Sequence, residues 1–124
     1  MARRVLVVDD EDDIREVSRV SLELVGHYDV LTAASGRAGV EQARTNRPDA
    51  ILLDVMMPEL DGPSTLAELQ ADALTRDIPV VFLTAKTQQA ERARLASLGV
   101  AGVLIKPFDP LKLPGDLAET LRWT

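Results

Sequence analysis

ILLDVMMPELDG, residues 51–62, decides the fold. Three apolar residues, Ile51, Leu52 and Leu53, run without interruption and stop on one carboxylate, Asp54. Loop and turn chemistry follows, with Pro58 and then the pair Asp61-Gly62. A short apolar run that does not alternate with polar residues suits a parallel strand in a sheet covered on both faces. The same construction recurs in VLVVDDEDD (residues 5–13), VVFLTAK (80–86) and GVLIKPF (102–108), each run stopping on a polar residue. If the four runs are parallel neighbours, their carboxyl ends share one sheet edge, and Asp9, Asp10, Asp54, Thr84 and Lys106 meet in one crevice. Three carboxylates, a hydroxyl and an ammonium make a site suited to a divalent cation and a phosphoryl group.

Outward from these runs, strand-like pieces alternate with amphipathic ones. Strands are expected at 4–9, 28–33, 50–54, 79–84 and 102–106. Helical spacing of inward residues predicts faces at Ile14, Val17, Ser21 and Leu24, then Ala38, Val40 and Ala43. It continues with Leu66, Leu69 and Leu74, then Ala90, Ala93 and Leu98, and finally Leu113, Leu117 and Leu121. Five βα units result, and the expected class is α/β, a three-layer sandwich. Ser35 is placed to cap the second helix, Asp61-Gly62 to turn the chain, and Asp109-Pro110 to open the last helix. Pro114-Gly115 leaves the start of that helix open.

Composition narrows the function. At 124 residues and 46% hydrophobic content, residues 1–124 fit one domain, which buries roughly two-thirds of the surface its unfolded chain exposes. Fourteen basic against 20 acidic residues give a net charge of −6; without a basic stripe, direct nucleic-acid binding is not expected. The absence of cysteine excludes disulfides and thiolate metal sites. No apolar run approaches the ~20 residues of a membrane span, and the first residues lack a signal-peptide core. A soluble, cytoplasmic protein is expected.

The four motifs, in this order and at these separations, resemble the receiver domain of two-component response regulators, of the single-domain chemotaxis-regulator kind. The resemblance runs over residues 4–121. It implies a flavodoxin-like (βα)5 fold with a five-stranded parallel sheet of order 2-1-3-4-5. It implies Asp54 as phosphoacceptor, Asp9 and Asp10 as the acidic pair holding Mg²⁺, and Thr84 and Lys106 on the phosphoryl group. The backbone carbonyl of Met56 is the further implied metal ligand, and a cis bond before Pro107 is usual in the family. The implied partners are a sensor histidine kinase or a histidine phosphotransfer protein and an unknown downstream protein, the chain itself being a monomer or weak homodimer. The implied role is a phosphorelay switch, not an enzyme beyond catalysing its own phosphorylation and dephosphorylation.

The chemistry also stands without the family. Phosphoryl transfer to a carboxylate spreads negative charge over equatorial oxygens, so the protein must position and neutralise. Crowded acids need a hard cation with oxygen ligands, for which Mg²⁺ is suited. Lys106 supplies a second positive charge and Thr84 a hydroxyl able to follow the new phosphoryl oxygen. Asp54 is then the nucleophile. Bland roles suffice elsewhere: Asp12 and Asp13 as helix-dipole partners, His27 as a surface turn residue, Met57 as loop packing.

Two departures from the common receiver pattern stand out. Val103 occupies the position where many receivers carry Tyr or Phe, so the signal is expected to travel by small shifts of the segment 87–98, Val103 and the last helix. Met56 and Lys86 flank the acceptor, and their bulk is expected to prolong the phosphoryl group's lifetime. An aspartyl-phosphate phosphatase also uses Asp, Thr, Lys and Mg²⁺, but it needs a second catalytic aspartate where Met56 stands. A degenerate, non-phosphorylated binding module is opposed by the intact set of five residues. A stand-alone shuttle, a regulator acting through contacts and a piece of a larger regulator stay open, and the helix-end character of residues 121–124 favours the first.

Overall fold

The computed structural model describes residues 2–86 and 88–123. Five parallel strands, β1 Arg4–Val8, β2 Asp29–Ala33, β3 Ala50–Asp54, β4 Val80–Thr84 and β5 Gly102–Ile105, form one sheet in the order β2-β1-β3-β4-β5. The helices are α1 Asp12–Val20, α2 Gly36–Asn46, α3 Gly62–Ala71, α4 Gln89–Ala96 and α5 Leu113–Leu121. A π-helical turn, Ser21–Val25, continues α1. The expected class and strand order are both present.

The apolar runs are apolar throughout because successive residues face opposite layers. Leu6, Val8, Ile51, Leu53, Val80 and Phe82 point to one side and pack with Ala43, Leu66, Leu69 and Leu95 of α2, α3 and α4. Val5, Val7, Leu52, Val81 and Leu83 point to the other, against Leu22, Leu113 and Leu117. Each fully buried branched side chain contributes about 1.5–3 kcal/mol, so the three central strands are where the fold is held. Register is in step across them: Val8 lies beside Leu53, and Leu53 beside Phe82. The strand ends therefore fall on one edge.

Expected inward residues are corrected in four helices. In α1 and its π-helical turn the buried residues are Ser18, Ser21 and Leu22, while Val17 and Leu24 lie on the exposed side. The choice of valine and leucine followed apolarity, whereas the helix turns its small serines to the sheet and the wider π turn shifts the face. In α4 only Leu95 enters the core, and Ala90 and Ala93 are exposed; alanines bury too little area to decide which way a short helix on an edge strand faces. Leu74 lies beyond the end of α3 and is also exposed, as is Ala38 in α2, whose buried face is Gly36, Gly39 and Ala43 because Gly39 lets the helix approach the sheet closely. Ser35 caps α2 as expected, accepting from the Ala38 N–H at 3.1 Å. Asp109 instead caps a turn, accepting from the Leu111 N–H at 2.9 Å, and α5 begins only at Leu113.

Candidate functional site

The sheet's hydrogen-bond ladder runs one step past the strand ends and fixes the polar residues there. The Asp9 N–H donates to the Ala33 carbonyl at 3.1 Å, and the Lys106 N–H to the Thr84 carbonyl at 2.8 Å. Beyond Asp54, the Val55 N–H donates to Leu83 at 3.2 Å. Asp9, Asp54 and Thr84 are almost wholly buried. The Lys106–Pro107 bond is cis.

From the far strand Lys106 reaches across the edge. Its Nζ lies 3.0 Å from Asp54 Oδ1, 3.1 Å from Asp9 Oδ2 and 3.5 Å from Glu11 Oε1. One ammonium thus serves three carboxylates, and the remaining oxygens go short. Buried Asp54 Oδ2 and Asp10 Oδ1 lack hydrogen-bond partners. Burial pushes the Asp54 carboxyl up to about 6, against the pull of Lys106 and with the repulsion of Asp9. For Lys106 burial acts downward, but the hydrogen bonds to Asp54 and Asp9 prevail and hold it above the usual lysine range. A buried acid with an orphaned oxygen beside two further acids is the environment a hard cation relieves.

Loops complete the enclosure. A Cβ on Gly62 would lie 2.6 Å from the Asp54 carbonyl oxygen and 2.7 Å from the Val55 Cα. Only glycine lets α3 start so close beneath the acceptor, with its N–H donating to Val55 at 2.8 Å. Asp61 caps α3 by accepting from the Ser64 N–H at 2.8 Å. On the other side, Arg15 braces the β1–α1 loop, donating to the Asp9 carbonyl at 2.9 Å and to Asp12 Oδ1 at 2.6 Å.

Of the expected site residues, Asp9, Asp54 and Lys106 are in direct contact. Thr84 stands at the same edge, its hydroxyl accepting from the Lys86 N–H at 3.0 Å. The acids whose oxygens converge within 4.8 Å are Asp9, Glu11 and Asp54; Asp10 is adjacent in the chain and outside that group. Met56 follows on the exposed rim. Sequence reasoning missed Glu11 and Arg15. Glu11 sits inside the acidic run that flagged the site; Arg15 gave no sign, because its role is a contact to a backbone oxygen.

The model of the response regulator receiver domain family matches residues 5–118. Among curated proteins, the alkaline phosphatase synthesis transcriptional regulatory protein PhoP of Bacillus subtilis is 37% identical over 122 residues, covering 98% of this chain and 50% of PhoP. The probable transcriptional regulator ycf27 of Cyanophora paradoxa is 38% identical, covering 98% of this chain and 49% of ycf27. The chain spans about half the length of these relatives. Among solved structures, chemotaxis protein CheY4 of Vibrio cholerae superposes with a TM-score of 0.88 at 32% identity, over 97% of this chain and 99% of CheY4. A putative response regulator from Chloroflexus aurantiacus gives 0.88 at 31% identity, over 98% and 99% of the two chains. No helix among the described residues is long and apolar enough to cross a membrane. On its sequence, its strand order and the acids and lysine at its sheet edge, the chain belongs to the response-regulator receiver family.

Proposed function

We propose that the chain is a phosphoryl-accepting switch in which Asp54 takes a phosphoryl group from a partner's phosphohistidine. The observation that carries this is Lys106 Nζ bridging Asp54 and Asp9 beside carboxylate oxygens that have no partner. Asp9, Asp10 and Asp54, with the Met56 carbonyl, are the residues to hold Mg²⁺, which when bound supplies positive charge against the phosphoryl oxygens. An Asp54 oxygen forms the bond to phosphorus as the P–N bond to the donor imidazole breaks, its electron pair staying on nitrogen. With its carboxyl near 6, Asp54 is mostly ionised, and so nucleophilic, above neutrality. Lys106 follows the charge from carboxylate to phosphoryl oxygen. Thr84 exchanges its bond to the Lys86 N–H for one to the new oxygen. The chain catalyses only its own modification, and Met56 and Lys86 at the rim slow the water that ends it.

The donor's docking surface is an apolar groove of about 320 Å³ between α1, its π-helical turn and the loop before α5, lined by Val17, Val20, Leu24, Val25 and Leu111. Leu24 and Leu111 are 72% and 75% exposed. That much apolar surface in one place marks a contact site. The loop bearing Leu111 continues from Lys106, so a helix of the donor seated there lies next to the acceptor.

Intact mass after incubation with acetyl phosphate tests the proposal. One phosphoryl adduct is expected with Mg²⁺, none with EDTA and none in Asp54→Asn. An adduct persisting in Asp54→Asn would overturn the assignment of the acceptor.

A further inference from the structure

We propose that Glu11 is a specificity-determining residue, a rim carboxylate that disfavours small anionic phosphodonors; this rests on the phosphoryl-accepting role of Asp54. Glu11 stands at the N-cap position of α1, yet its side chain makes no cap hydrogen bond. Its backbone alone serves the local fold, the N–H donating to Asp9 Oδ1 at 2.9 Å and the carbonyl accepting from the Arg15 N–H at 2.9 Å. The carboxylate is 61% exposed and reaches instead toward Lys106 Nζ at 3.5 Å.

Two consequences follow from that position. Lys106 must turn to the incoming phosphoryl group, and Glu11 competes with that group for the same ammonium. Unlike Asp9 and Asp54, Glu11 sits at the solvent side, so its charge meets a donor on approach. A donor carried by a protein gains binding energy at the apolar groove away from this charge. A free acyl phosphate has no such compensation, and its approach is opposed by the full repulsion. Glu11 thereby biases the acceptor toward a protein-borne phosphohistidine.

The experiment measures initial rates of adduct formation at saturating Mg²⁺ for native protein, Glu11→Gln and Glu11→Asp. With acetyl phosphate the P–O bond to the acetyl group breaks, acetate leaves, and the new bond is to Asp54. With phosphoramidate the P–N bond breaks and ammonia leaves. At low ionic strength Glu11→Gln is expected to react with acetyl phosphate about three- to fivefold faster than native, the range for losing one exposed charge. The gain should shrink in high salt and be smaller with phosphoramidate, which carries one fewer net negative charge near neutrality. Glu11→Asp, keeping the charge, should stay near the native rate. A Glu11→Gln rate equal to or below native, or a gain indifferent to salt and donor charge, overturns the role of Glu11 while leaving the acceptor intact. No adduct on native or variant protein would overturn the acceptor reading itself, and this one with it.

Discussion

At the scale of single residues, the site is a conflict held in check by one lysine. Asp54 is 3% exposed, and burial raises its carboxyl to about 6. Between about pH 4 and 6 the metal-free native state therefore holds a proton that the unfolded chain, with Asp near 3.9, has already released. Stability from this group is greatest below the unfolded value and falls as pH rises through about 4 to 6. Asp54→Asn, which cannot ionise, should be more stable than native protein in EDTA at pH 7.5 by on the order of 1–2 kcal/mol. That margin should close on acidification toward pH 4. Urea unfolding at the two pH values checks this, and a margin that widens in acid would contradict it. Asp54 and Lys106 were legible in the sequence because each ends an apolar run. The roles of Glu11 and Arg15 were not, since each depends on an atom brought near only by folding.

At the scale of elements, strands were the most legible part, because runs such as Ile51-Leu52-Leu53 have no other stable place than a doubly covered sheet. Helix faces were less so. Val17 and Leu24 look inward on a helical wheel but lie outside, because the serines of α1 and the turn after it pack inward. Ser21 also donates to the Pro110 carbonyl, tying that turn to the loop from Lys106. Val17 and Leu24 line the apolar groove, the surface proposed above for the donor. Leu111→Asp or Leu24→Asp should lower the rate of phosphotransfer from a cognate kinase about tenfold or more, the scale of losing a contact worth over 1 kcal/mol. Both should leave acetyl phosphate labelling unchanged. Equal loss with both donors would show damage to the site instead of to docking.

At the scale of the whole molecule, a change at Asp54 must reach the surface through packed elements. Val103 is partly buried against the core shared with Leu95 of α4, and α5 lies over β5, where a Cβ on Gly102 would come 2.4 Å from Thr120 Cγ2. The far end of α5 is pinned: Trp123 meets the Tyr28 ring edge-on at 5.5 Å, and the Arg3 guanidinium lies 4.4 Å over it. A valine has no large ring to swing, so the expected response is a graded loosening of 88–98, β5 and the start of α5; Thr87, also expected to take part, lies outside the described residues. Hydrogen exchange before and after phosphorylation should change in these segments and stay constant in β1 and β3. Unchanged exchange across 88–98 and β5 would rule this route out.

The measurement that bears most directly on the central claim is borohydride reduction of the phosphorylated protein followed by peptide mass mapping. An acyl phosphate on Asp54 is expected to give homoserine at position 54 and nowhere else. Homoserine at Asp9 or Asp10, or a phosphoprotein that resists reduction, would contradict the account.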